Sequence, residues 1–364
     1  MGGGRKLQDM CLRTMAREWE FIREYEKNNL ADLPPGLRGL LLSNIAVYGP
    51  EDGVGGEGLN DLLVGPGEDG MGGCGNEGFY RLDLSGSVGR SVSFKQLIEL
   101  VQKPTTPPPD EADVELSWEE NISRSIGRPI PHLTHLSISH PPSTVSWPRL
   151  LTLAQHTPTL THLSLAFWPV PSLTPNAKTA VMSSKYMKDI QYSGTNFYSH
   201  SLDDDFREAA MVLKTLANRV YGLEYLDLEG CADWLQALRW NGDDAGIDWS
   251  SQWVKMKSLK VCSGYELREE SEYWEVDKFT RDFRGMNMLQ KHVAREVRKG
   301  RWIEVVKDDW QLYEDFWKGG TDIDKRKRRQ FDTLKAKWWT EELGTIPGEV
   351  PMVRDVERRS VWEQ

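Results

Sequence analysis

The sequence predicts an α/β solenoid, a parallel sheet with helices on its outer side, and three observations predict it. The phrase LTHLSIS at residues 133–139 returns as LTHLSLA at residues 160–166. Both copies have the form L-x-x-L-x-L, in which the three aliphatic positions turn into a shared core. Between such segments lie stretches with apolar residues at helical spacing, so strand and helix alternate.

Residues 1–30 read as a helical cap. The stretch RKLQDMCLRTMAREWEFIREYEK places Leu7, Cys11, Met15 and Trp19 at four-residue steps, with Leu12 and Ile22 alongside. End repeats need such a lid over their exposed core.

Residues 31–270 read as an irregular leucine-rich-repeat domain. Six candidate strands carry the pattern: Leu37, Leu40, Leu42; Phe79, Leu82, Leu84; Leu133, Leu136, Ile138; Leu160, Leu163, Leu165; Leu223, Leu226, Leu228; and Met256, Leu259, Val261. Their starts are 42, 54, 27, 63 and 33 residues apart, whereas a regular repeat measures about 20–29. The long intervals hold insertions: the Gly-rich acidic run at 51–78, the Pro-rich KPTTPPPDEAD, and the segment from Pro175 to about Asp205. Helical spacing follows the second strand at Phe94, Leu97, Ile98 and Val101, and precedes the fourth at Leu150, Leu151 and Leu153. It recurs before the fifth at Phe206, Val212, Leu213, Leu216 and Val220. Residues 271–364 read as a charged helical extension that holds Trp302, Trp310, Trp317, Trp338, Trp339 and Trp362.

In an L-x-x-L-x-L strand the third and fifth positions point away from the leucine core. A protein-binding face is therefore expected at Arg81, Asp83, His135, Ser137, His162, Ser164, Tyr225, Asp227 and Lys260. In-register pairing puts His135 and His162 about 4.8 Å apart. With no third ligand in the pattern, stacked polar residues are expected there and not a metal. The face is polar and mildly acidic, which suits a basic or hydrogen-bonding protein segment.

These segments, with LADLPPGLRGLLLSNIAVYG, YRLDLSGSVG, LTHLSLAFWPVPSLTPNA and LEYLDLEGCADWLQALRW, resemble the irregular leucine-rich-repeat proteins typified by substrate receptors of ubiquitin ligases. More narrowly they resemble a fungal leucine-rich-repeat family, some of whose members are labelled tafazzin-like. The resemblance covers about residues 7–265 and implies a noncatalytic interaction scaffold. Leu7, Cys11 and Met15 resemble the box that docks on elongin C, which implies an adaptor of that type as a partner; capping contacts explain the same spacing.

Two other function classes stay open. His200 and Asp205 have the H-x-x-x-x-D spacing of glycerolipid acyltransferases, although no downstream acyltransferase block accompanies them. The cluster Lys325, Arg326, Lys327, Arg328 and Arg329 reads as a nuclear import signal, a nucleic-acid contact or a solvated helix face. A formal charge of −10 argues against general nucleic-acid binding, because the mean field repels phosphates.

The remaining features yield expected absences. No uninterrupted apolar run is long enough to span a bilayer and none forms a signal core, so a cytoplasmic or nuclear location without membrane insertion is expected. The four cysteines form no CxxC pair, so no metal or cofactor is expected. The letters GVGGEG, Gly53 to Gly58, match a phosphate-loop pattern, but Glu51, Asp52 and Glu57 crowd them and a flexible loop is the expectation.

Overall fold

The computed structural model describes residues 3–64, 76–102, 130, 132–173, 180–184, 187–192, 206–241, 246–265, 271 and 273–308. They form a mixed α/β protein with a parallel six-stranded sheet and helices. The described residues divide into two units, one up to Ser164 and the other from Leu165 onward.

The first unit opens with α1 (Gly3–Arg17), α2 (Trp19–Glu26), α3 (Pro35–Tyr48) and α4 (Gly56–Leu63). It continues through β1 (Arg81–Asp83), α5 (Phe94–Val101), β2 (His135–Ser137), α6 (Trp147–His156) and β3 (His162–Ser164). β1 pairs with β2 and β2 with β3, both in parallel. The first-, fourth- and sixth-position residues Phe79, Leu82, Leu84, Leu133, Leu136, Ile138, Leu160 and Leu163 are all buried. Each such side chain contributes about 1.5–3 kcal/mol over its exposed state. Helix α5 starts at a capping box between Ser93 and Gln96 and buries Phe94, Leu97, Leu100 and Val101.

The second unit holds an antiparallel hairpin, β4 (Ala180–Ser184) with β5 (Met187–Tyr192). After it come α7 (Arg207–Arg219), β6 (Tyr225–Asp227), a 3-10 segment (Ala232–Arg239), β7 (Ser258–Lys260), α8 (Tyr273–Glu296) and β8 (Glu304–Val306). β6, β7 and β8 pair in parallel. Leu223, Leu226, Leu228, Met256, Leu259 and Val261 are buried beneath them, and α7 buries Ala209, Val212, Leu213 and Leu216.

The first candidate strand is corrected: Leu37, Leu40 and Leu42 lie in helix α3. Pro35 occupies its first turn, where the missing N–H costs nothing. Arg38, Leu41, Leu42 and Ile45 then fall on one buried face, while Leu40 is exposed. The expected loop at Gly53–Gly58 is corrected too, because α4 begins at Gly56 after left-handed Gly53 and Gly55. β8 is an unexpected strand in a region whose composition suggests helices alone.

The third residue after each of β1, β2, β3 and β6 turns left-handed. In the first unit these are Gly86 at φ 77 and His140 at φ 55; in the second, Phe167 at φ 60 and Gly230 at φ 73. The turn lets the Gly86 N–H reach the Ser139 carbonyl, and the Gly230 N–H reach that of Cys262. Glycine adopts it freely, whereas His140 and Phe167 each carry a strain of about 1–3 kcal/mol.

Candidate functional site

In the first unit the third repeat positions stand in one row, Arg81 beside His135 and His135 beside His162. The two imidazoles stack with centroids 4.0 Å apart and planes 12° from parallel. Threonines hold them there: Thr134 Oγ1 lies 2.7 Å from His135 Nδ1, and Thr161 Oγ1 lies 2.9 Å from His162 Nδ1. Each hydroxyl also donates to the carbonyl one strand back, Thr134 to Tyr80 and Thr161 to Thr134. A hydroxyl has one proton to give, so with it on the carbonyl each ring donates through Nδ1.

This geometry decides against a metal clamp. Lone pairs lie in the ring planes, so nearly parallel stacked rings aim theirs side by side and not at a common point. Among the described residues no group of three His, Cys, Asp or Glu is placed to hold a metal ion. Burial, and then the neighbouring His162 and Arg81, lowers His135 to about 4, so that ring is neutral near pH 7.

The fifth positions differ from the open polar face expected of them. Asp83, Ser137 and Ser164 are buried, as is Asp227 in the second unit. Buried polar groups need partners, and the sequence supplies small ones. Ser85 Oγ donates to Asp83 Oδ1 at 2.6 Å and lies 2.8 Å from Ser137 Oγ. These side chains form an internal polar seam and offer no accessible contact to a partner. The row open to solvent is the third-position one, with Arg81 exposed and His135 and His162 half-buried.

In the second unit Tyr225 stands at the third position, half-buried, and Lys260 at the fifth. Lys260 Nζ pairs with Glu229 Oε2 at 2.6 Å. Burial works against the ammonium charge, yet Asp227 and Glu229 outweigh it and raise its pKa. Burial and Asp227 push the Tyr225 hydroxyl up. Burial, Asp308 and Glu229 raise the Cys262 thiol to about 12, which leaves it a poor nucleophile at neutral pH.

No family model, curated protein or solved structure matches the chain. The geometry therefore carries the functional reading alone.

The other sequence-predicted residues separate cleanly. Leu7 and Cys11 on α1 are exposed and Met15 is half-buried, whereas Leu12, Ala16 and Trp19 face the core. The capping contacts thus come from a different face than the one spaced at 7, 11 and 15. At Gly53–Gly58 the Val54 N–H goes to Ser87 Oγ and the Gly56 N–H to the Ser91 carbonyl, while Glu57 sits in the first turn of α4. That use of donors and that charge oppose a phosphate. His200, Asp205 and Lys325–Arg329 lie outside the described residues. Among the described residues no helix is long and apolar enough to cross a membrane.

One titratable group was missed by sequence reasoning. The Tyr265 hydroxyl donates to Asp282 Oδ2 on α8, and Asp282 is raised to about 7 by burial, with Asp233 adding to the effect and Lys278 opposing it. The signal available was an acid between Phe279 and Phe283 on an apolar helix face.

Proposed function

We propose that this chain is a noncatalytic scaffold that recognises another protein through the third-position row of its repeats. The observation that carries this reading is the Arg81–His135–His162 row: an exposed guanidinium beside two half-buried imidazoles fixed by threonines. Pre-fixed side chains lose little entropy on binding, which suits a recognition surface. The row offers donors from Arg81 and an acceptor from the neutral His135 imidazole, and a peptide segment supplies the complement of both through its carbonyls and amides.

Catalysis by this row has less support. A general base works best with a pKa near the operating pH, and burial takes His135 well below that.

The narrower reading, a ubiquitin-ligase subunit docked on an elongin-type adaptor, needs Leu7, Cys11 and Met15 as one edge. Leu7 and Cys11 are in solvent but Met15 is half-buried, so the proposal stops at protein recognition.

Affinity capture from a cell extract tests it, with wild type run beside Arg81→Glu and His162→Glu. A polypeptide held by wild type and lost from both variants is the expected result. Identical captures from all three, with unchanged melting curves, reject the row as the binding surface.

A further inference from the structure

Because β6, β7 and β8 are parallel, the turns that enter them lie at one end of the second unit's sheet. Tyr225 pairs with Ser258 and Ser258 with Glu304. The Ser258 N–H reaches the Glu224 carbonyl, and the Glu304 N–H reaches that of Lys257. Arg301 donates to the carbonyls of Trp249 and Trp253, which fastens the last turn to the middle one. Each turn carries one large apolar side chain that faces water: Tyr221 is 61% exposed, Val254 59% and Trp302 76%. Tyr221 and Val254 hold equivalent places, each four residues before a paired position, Tyr225 and Ser258. At about 4.8 Å between neighbouring strands, the three turns sit within about 10 Å of one another across the sheet.

The charge around these tips has one sign. The turns at 219–223, 254–257 and 297–302 hold Arg219, Lys255, Lys257, Arg298, Lys299 and Arg301 and no acid, in a chain whose formal charge is −10. The flanking acids are Glu224, which holds Lys257 at 2.5 Å, and Glu296 and Glu304. Lys255, Arg298 and Lys299 are exposed and make no ion pair among the described residues. Cations at the end of α8 complement its dipole, which accounts for Arg298 and Lys299 but neither for Lys255 on another segment nor for three apolar side chains in water. Exposed cations around apolar tips complement an anionic surface with an apolar interior. Tryptophan and tyrosine, with an apolar body and one polar atom, suit the boundary of such a surface. A nucleic-acid strand asks for an aromatic face at each tip, and Val254 has none.

We infer that the entry turns of β6, β7 and β8 dock on the surface of a membrane that carries anionic headgroups. Tyr221, Val254 and Trp302 enter the headgroup boundary, while Lys255, Arg298 and Lys299 lie against the lipid phosphates and carboxylates. The contact is peripheral and reversible, since it uses three side-chain tips and a basic rim and no helix crosses the bilayer. This association goes beyond the recognition row and does not depend on it.

Flotation of the full chain with phosphatidylcholine vesicles, with and without phosphatidylserine, tests the inference. Wild type should float with the phosphatidylserine vesicles and not with the neutral ones, and the bound share should fall as salt rises. Arg298→Gln and Lys299→Gln should each weaken partitioning about fivefold, and Trp302→Ser should weaken it as well. All three side chains are in solvent, so melting curves should match wild type. Lys95→Gln, on α5 of the first unit, should leave flotation unchanged. Failure to float with the charged vesicles, equal flotation with neutral ones, or undiminished flotation of the three variants overturns the inference. Uptake of a labelled single-stranded oligothymidylate that disappears in Trp302→Ser, with no flotation, overturns it in favour of nucleic acid.

Discussion

Tyr265 and Asp282 join the loop after β7 to helix α8 through a 2.9 Å hydrogen bond, the tyrosine hydroxyl donating. Burial raises Asp282 to about 7, so the folded chain holds this proton more tightly than the unfolded chain does. A raised carboxyl contributes stability that is fully present below its unfolded value of about 4 and is lost as pH climbs through about 7. The unfolding free energy of wild type should therefore fall over that window by on the order of a few kcal/mol. Asp282→Asn should flatten the fall in denaturant titrations at pH 5 and 8. An equal slope in both proteins contradicts the assignment.

Phe167 lies across two glycine turns of the second unit. A Cβ on Gly230 would come within 2.5 Å of the Phe167 ring, and one on Gly264 would come equally close. Gly230→Ala should cost about 1–3 kcal/mol, since it adds that clash to a left-handed φ of 73. Adding Phe167→Ala should relieve the steric part only. A double-mutant cycle of melting curves reads the coupling, and strict additivity would show that the ring does not rest on the turn.

His162 helps to lower His135, after burial. In His162→Ala the His135 Cε1 proton should titrate at higher pH than in wild type, because the neighbour's contribution goes and burial lessens. Proton NMR titration checks this. An unchanged midpoint would separate the two rings.

Arg38 is buried on α3, where Nη1 donates to the Leu62 carbonyl and to Asn76 Oδ1. Arg38→Met keeps the length of the side chain and removes both donors. A loss of about 1–3 kcal/mol is expected for each buried acceptor left without a partner. Chemical denaturation measures it, and a neutral outcome would mean that water replaces the guanidinium.

Much of this architecture was legible in the sequence. A period-two apolar phrase fixes which residues enter the core, and five of the six predicted strands carry it in the structure, with the predicted helices at Phe94–Val101, Trp147–His156 and Arg207–Arg219 between them. The register of His135 on His162 followed from the repeated phrase. Leu37, Leu40 and Leu42 misled because a dense leucine run satisfies both periods, and the Pro35 start decided for the helix. β8 was invisible: Glu304, Val305 and Val306 hold no leucine phrase, and only pairing with β7 makes them a strand. Burial of Asp83, Ser137 and Ser164 was equally hidden, since side-chain direction is written in the period but solvent access depends on what lies above.

Site-specific photocrosslinking tests the recognition row most directly. A benzoylphenylalanine placed at Tyr80, the exposed neighbour of Arg81, should capture a partner polypeptide in a cell extract, and one placed at Lys95, on the exposed side of α5, should not. Capture from both positions alike, or from Lys95 alone, would contradict the account.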